Sequence, residues 1–135
     1  YGRGPWENYP DRKTSCLIGR WSSKVSSQYT HYPRPQDSGN HEDVTEVTLT
    51  NKEGKDIRVT AIDRPFSFSA LYYTVDDIYK ATHDCDLKPR KEIILSLDAA
   101  VLGLGNSSCG PGVLKKYAID KQKPHTLRVR FSLIK

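Results

Sequence analysis

Thr126-Leu127-Arg128-Val129-Arg130-Phe131-Ser132-Leu133 decides the fold class, because apolar and polar residues alternate along it without a break. Successive side chains of a β-strand point to opposite faces. Leu127, Val129, Phe131 and Leu133 therefore share one face, and Arg128 and Arg130 lie on the other. The same alternation recurs in Lys55-Asp56-Ile57-Arg58-Val59-Thr60-Ala61-Ile62. That stretch follows Val44-Thr45-Glu46-Val47-Thr48-Leu49 through Asn51-Lys52-Glu53-Gly54, a polar turn whose glycine tolerates positive φ. The pair reads as a β-hairpin. Further strands are expected at Phe66–Ala70, Glu92–Leu97 and Tyr117–Ile119. Half-buried alternation belongs to antiparallel sheets with one wet face. The expected fold is all-β and mainly antiparallel, a β-sandwich with one short helix.

The helix is announced by Thr74-Val75-Asp76-Asp77, a hydroxyl followed three residues later by an acid, the capping-box arrangement with Asp in place of Glu. Ile78-Tyr79-Lys80-Ala81-Thr82-His83 then has room for about two turns. Residues 1–40 carry Pro5, Pro10, Pro33 and Pro35 and few strand-like runs. They read as an irregular lead-in anchored by Trp6, Tyr9 and Trp21. No internal repeat or low-complexity segment interrupts the chain. Its 135 residues fit one domain, since independent domains run roughly 100–200 residues.

Composition narrows the function classes. Hydrophobic residues at 36% and charged residues at 27% suit a folded chain rather than a disordered one. No window approaches the roughly 18 consecutive apolar residues of a membrane span. The absence of methionine is expected of a mature piece or a fragment of a longer protein, and Tyr1-Gly2-Arg3-Gly4-Pro5 has no apolar signal core. Lys and Arg number 21 against 16 acids, a net charge of +5. The bases are scattered, with Lys88, Arg90 and Lys91 in one place, Lys115 and Lys116 in another and Arg128 and Arg130 in a third, and acids lie among them. No nucleic-acid-binding signature is present, so the charge reads as a solvated surface. Cys16, Cys85 and Cys109 are odd in number, far apart and without a Cys-x-x-Cys pair, which supports neither a disulfide framework nor a zinc site.

Several groups have chemistry to offer. His83-Asp84-Cys85-Asp86 is the densest reactive set, yet a histidine just beyond a helix end is explained by the helix dipole. Asp76-Asp77 lies in a helix first turn, where acids are favourable, and Glu42-Asp43 reads as part of a polar loop. Neither pair faces a second acid across a rigid site, as glycoside hydrolysis requires. Gly103-Leu104-Gly105-Asn106-Ser107-Ser108-Cys109-Gly110-Pro111-Gly112 holds four glycines and a proline in ten residues. No Gly-Lys-Ser/Thr ends it, so it is not a phosphate-cradling loop. It reads either as a shaped turn or as a loop edging a ligand site.

Gly4-Pro5-Trp6-Glu7-Asn8-Tyr9-Pro10-Asp11-Arg12 resembles the Gly-Pro-x-Glu-Asn-Tyr-Pro-Asp-Arg motif of the large β-galactosidases of the second glycoside hydrolase family. The resemblance continues in order through Arg20-Trp21, Tyr29-Thr30 and Pro35-Gln36-Asp37-Ser38-Gly39-Asn40. It runs on through Phe66–Ala70, Tyr73-Thr74, Ala81-Thr82-His83 and Leu97-Asp98 to Gly103-Leu104-Gly105 and Ser108-Cys109-Gly110-Pro111.

The resemblance implies the later part of the C-terminal, small-chain domain of such an enzyme, a β-sandwich related to galactose mutarotase. In that family the catalytic acid and nucleophile are glutamates of a separate (β/α)8 barrel, so no catalytic residue is assigned to this chain. Family members often use Mg or Na ions, whose sites the resemblance places outside this chain, and no metal ligand or cofactor is assigned here. The implied partners are the barrel of the same parent chain and, through it, a β-galactoside such as lactose. Self-association through uncovered strand edges is also expected, and no nucleic acid or membrane is. The loop at 103–111 matches the one that reaches the barrel mouth, where a tryptophan lines the leaving-group sugar site. Here Cys109 takes that position in a loop one residue shorter, and Asn106, Ser107 and Ser108 remain as hydrogen-bonding groups at the rim. Glu7, Tyr9, Asp11 and Arg12 are assigned a structural part in holding the lead-in together. The alternative is a free-standing carbohydrate-binding or mutarotase-like module, although neither His83 nor His125 has a convincing acid–base partner. A bacterial cytoplasm and a periplasm both stay open as the compartment.

Overall fold

The computed structural model of the chain describes residues 1–105 and 110–134. In chain order the strands are β1 (Gly2–Gly4), β2 (Leu17–Gly19), β3 (His41–Val44), β4 (Glu46–Leu49), β5 (Asp56–Ala61) and β6 (Phe66–Leu71), then, after helix α1 (Val75–Lys80), β7 (Ile94–Asp98) and β8 (Val129–Ile134). They form a ribbon of β1 and β2 and two three-stranded sheets, ordered β3-β6-β7 and β4-β5-β8. Every strand pairing is antiparallel.

The hairpin of β4 and β5 pairs Leu49 with Ile57 and Val47 with Val59. Its turn needs Gly54, which sits at φ +70° with open space around it. Asn51 shapes the same turn, its Oδ1 accepting the amides of Glu53 at 2.9 Å and Lys55 at 3.0 Å. Strand β8 then adds to β5, setting Leu133 beside Ile57, Phe131 beside Val59 and Val129 beside Ala61. One face of this sheet is thus apolar across all of its strands.

The two larger sheets pack through that face. Val44, Val59 and Phe66 form the buried centre, with Phe68, Leu95, Leu97, Leu127 and Val129 packed around them. Removing such side chains from water stabilises a fold by about 1.5–3 kcal/mol each. A smaller cluster joins Tyr29, Leu71 and Ile78, which ties α1 to the end of β6. The capping box at α1 is complete: Thr74 Oγ1 accepts the Asp77 amide at 3.1 Å, and Asp77 Oδ2 accepts the Thr74 amide at 2.9 Å.

The structure corrects several expectations. Trp6 is 72% exposed and Trp21 48%, so Tyr9 and the polar Asn8, not the tryptophans, anchor the lead-in from inside. Glu42 and Asp43 lie in strand β3 rather than a loop, because the segment pairs with β6 and the Glu42 amide is held by Asn8. Tyr117 ends a single 3-10 turn, Lys115–Tyr117, in place of a strand. Helix α1 stops at Lys80, short of His83, and Ala81 is already extended. Phe131 (61% exposed) and Leu133 (83%) belong to the apolar face of β8 but stand outside the packed cluster that includes Val129. No helix among the described residues is long and apolar enough to cross a membrane.

Candidate functional site

The lead-in motif is built on backbone positions with no room for side chains. A Cβ on Gly2 would meet Val44 Cγ2 at 2.6 Å, and one on Gly4 would meet the Trp21 ring at 2.6 Å. These close approaches let β1 lie across β3 and deliver Asn8 to the interior. Asn8 is fully buried, and its side chain satisfies three backbone groups. Nδ2 donates to the Trp6 carbonyl at 3.0 Å and the Arg3 carbonyl at 3.3 Å, while Oδ1 accepts the Glu42 amide at 2.8 Å. Asn40 completes the stitch. Its carbonyl accepts the Asn8 amide at 2.7 Å, and its Nδ2 donates to the Asn8 carbonyl at 2.7 Å. Glu42 Oε1 accepts from Asn40 at 2.9 Å and from the Ser67 hydroxyl at 2.7 Å.

The motif's charges divide into two jobs. Glu7 is held inside the lead-in: its Oε2 accepts the Gly39 amide at 2.8 Å, and its Oε1 takes Arg12 at 3.2 Å and the Tyr32 hydroxyl. Tyr9 and Arg12 close a tight turn through reciprocal backbone bonds of 3.1 and 2.8 Å. That turn projects Asp11 away from the lead-in toward Gly103–Gly105. Asp11 Oδ1 accepts the Leu104 amide at 2.9 Å and Oδ2 the Gly105 amide at 2.8 Å. Burial alone would push the Asp11 carboxyl up. The amides of Gly105 and Leu104 outweigh it and hold the group below the usual carboxylate range.

A concavity of about 380 Å³ opens beside β6 and β7. Asp37, Asn40, Ser69, Ser96 and Asp98 supply its polar groups, and Val75 and Ile78 contribute to an apolar wall. Register explains the grouping. Ser69 pairs with Ser96 and Ser67 with Asp98, so these side chains share the sheet face turned away from the main core. Burial first, then the neighbouring Asp98 and Glu7 carboxylates, push the Asp37 carboxyl up against the lowering by the Ser38 amide. Burial and the Glu42 charge push Asp98 up as well. The sequence strings Pro35–Asn40 and Leu97-Asp98 already contain these acids, but nothing in their spacing brings them together.

The other reactive groups are dispersed. Asp84 pairs with His31 Nδ1 at 2.9 Å, His83 Nδ1 lies 3.6 Å from Asp86, and Cys85 is an exposed free thiol. Cys16 is buried, its thiol directed at the Trp6 carbonyl. The rim residues Asn106, Ser107, Ser108 and Cys109 lie outside the described residues. Among the described residues, no group of three or more His, Cys, Asp or Glu is placed to hold a metal ion.

Comparison with known proteins bears on the whole chain. The family model described as β-galactosidase small chain matches residues 1–133. The β-galactosidase of Kluyveromyces lactis is 36% identical over 122 residues, covering 90% of this chain and 12% of that protein. β-Galactosidase BgaC of Bifidobacterium adolescentis is 35% identical over 136 residues, covering 98% of this chain and 13% of its own length. The β-galactosidase of Arthrobacter sp. strain B7 is 33% identical, with 96% and 13% covered. The chain thus spans only 12–13% of the length of these curated relatives.

Proposed function

The chain belongs to the β-galactosidase small-chain family, and from that premise we propose that it is a non-catalytic β-sandwich domain of a β-galactosidase. In this reading the parent hydrolyses terminal β-D-galactosides such as lactose with carboxylates of a separate barrel. This domain supports the barrel and edges its leaving-group sugar site with the loop at 103–111. The continuous match of residues 1–133 to the small chain carries the reading. The uncovered apolar end of the β4-β5-β8 sheet, at Ile57, Phe131 and Leu133, supports it as a surface for the rest of the parent.

The test is hydrolysis of a chromogenic β-galactoside by this chain alone at high protein concentration. No turnover above buffer is expected, since general acid and nucleophile are assigned elsewhere. Activity that survives repurification and vanishes on mutating a carboxylate of this chain would contradict the reading.

One observation favours a second reading, a carbohydrate-binding module in its own right. The concavity at Asp37 and Asp98 offers carboxylates, an amide and hydroxyls beside an apolar wall, the mixture that binds a polyhydroxylated ligand. Titrating galactose and lactose into the chain by NMR separates the readings. Saturable shifts confined to Ser69, Ser96 and Asp98 would favour the module.

A further inference from the structure

We infer that Asp11 is a positioning residue for the glycine-rich loop, setting the entry of that loop through the Leu104 and Gly105 amides. The inference rests on the reading above that this loop edges the sugar site. Its physical basis is that three successive amides at the loop entry are all tied, and to two different segments. Gly103 donates to the Tyr117 carbonyl at 3.1 Å, and Leu104 and Gly105 donate to the two oxygens of one carboxylate at 2.9 and 2.8 Å. The carboxylate comes from 93 and 94 residues away, so the loop entry is fixed from outside itself.

The glycines are fitted to this contact. A Cβ on Gly103 would fall 2.8 Å from Asp11 Oδ2 and 2.9 Å from Tyr117 Cβ. Gly105 stands at φ +61°, and a Cβ there would fall 2.8 Å from the Val113 amide nitrogen. The neighbouring cation does not compete for Asp11, since Arg12 pairs with Glu7. Its charge is therefore met by backbone N–H groups, an arrangement that orients the peptide planes it binds. Glu7 and Asp11, four residues apart in one motif, thus act on different loops: Glu7 on Gly39, Asp11 on Leu104 and Gly105.

The experiment uses the complete β-galactosidase that carries this chain, with Asp11→Asn, Asp11→Glu and Gly105→Ala variants. In Asp11→Asn one oxygen becomes an NH2, which meets an amide N–H donor to donor. Asp11→Glu keeps the charge and moves both oxygens by a methylene. Steady-state kinetics are measured with lactose and with a nitrophenyl β-galactoside, whose leaving group is not a sugar. Asp11→Asn and Asp11→Glu are each expected to raise KM for lactose on the order of tenfold, below the roughly hundredfold cost of a 1 Å misplacement. The nitrophenyl substrate should change less than about twofold in KM, and kcat should be preserved for both substrates. Hydrogen exchange should speed up at Leu104 and Gly105 in Asp11→Asn and remain unchanged at Gly39. Gly105→Ala distorts the loop without touching Asp11 and separates the two claims. If it raises KM for lactose while both Asp11 variants leave it unmoved, the positioning role is overturned and the rim reading stands. If neither kind of variant moves KM for lactose while exchange at Leu104 speeds up, the clamp is real and the rim reading fails. An equal loss with both substrates would overturn the inference in favour of a general stability role. If Asp11→Asn does not accumulate as folded enzyme, Asp11→Glu supplies the same comparison.

Discussion

The lead-in and the β5–β8 end of the molecule handle burial in opposite ways. Around Asn8 the chain buries polar groups and satisfies most of them internally, the buried Tyr9 hydroxyl being left without a partner. Asn8, Asn40, Glu42 and Ser67 are all at most 7% exposed, and their hydrogen bonds run among themselves and to nearby backbone. At the outer end of β5 and β8, Ile57, Phe131 and Leu133 present an apolar row that nothing among the described residues covers. A buried polar network is satisfied by specific partners and fixes one arrangement of its segments. An apolar row is satisfied by any surface that excludes water, and in the proposed function the parent enzyme supplies it. The first region closes largely on itself; the second, in that proposal, is an interface.

The largest expected effect lies in the first region. Asn8→Ala leaves the Glu42 amide without its partner, while the Trp6 and Arg3 carbonyls keep the Cys16 thiol and His41 Nδ1. It should destabilise the protein by about 3 kcal/mol, since an unsatisfied buried group costs about 1–3 kcal/mol and the space vacated by a fully buried side chain adds to it. Chemical denaturation of the complete protein checks this. A change below about 1 kcal/mol would mean that water replaces the amide readily and that the network is not what closes the lead-in.

Leu133→Asn probes the open region and should behave differently in two settings. In this chain alone Leu133 is already exposed, so the substitution should change stability by no more than about 0.5 kcal/mol. It should also reduce any concentration-dependent association seen by analytical ultracentrifugation. In the complete protein the same change should cost about 1.5–3 kcal/mol, the value of burying a leucine. Equal effects in both settings would show that the row faces water in the parent too.

The smallest effect concerns pH, and here the carboxylates split. Asp37 and Asp98 have raised folded pKa values, so they bind protons more readily folded than unfolded. Their charged forms cost stability at neutral pH, and that cost is relieved as pH falls through their folded values. Asp11 and Asp43 are lowered and contribute stability above about pH 4 that is lost as pH falls through their folded values. Stability should therefore rise modestly on mild acidification before it collapses. Asp98→Asn should remove part of that rise and raise the stability at neutral pH. Thermal midpoints between pH 4.5 and 7.5 test the pair; a midpoint that falls steadily on acidification in both proteins would contradict it.

What the sequence disclosed follows the same division. The apolar alternation of Leu127–Leu133 and Ile57–Ala61 is local, so strands β5 and β8 and the hairpin of β4 with β5 are visible in the sequence, whereas the pairing of β8 with β5 is not. The Thr74–Asp77 capping box is local too. The polar region was largely hidden, because the contacts that join its segments are 25–94 residues apart with no periodicity between them. Glu42-Asp43 reads as loop by composition, yet pairing with β6 makes it a strand, and Asn8, Asn40 and Ser67 satisfy Glu42 there. Large aromatics are ordinary anchors, but Trp6 and Trp21 stand at the surface while Asn8 is enclosed. Tyr117–Ile119 shows how a short apolar run carries too little periodicity to distinguish a strand from a 3-10 turn. Of the candidate site, Asp11 was legible as a motif residue, whereas its bonds to Leu104 and Gly105 depend on the folded lead-in.

Thiol labelling of a Leu133→Cys variant in the complete protein tests most directly whether this sandwich is a covered part of a β-galactosidase. Lys55→Cys, at the exposed β4–β5 turn, serves as the reference, and peptide mapping by mass spectrometry separates both sites from Cys16, Cys85 and Cys109. Position 133 should label at least tenfold more slowly than position 55 in the native enzyme, and equally fast once denatured. Equal native rates would show the apolar row open to water in the parent and would contradict its role as the domain's interface.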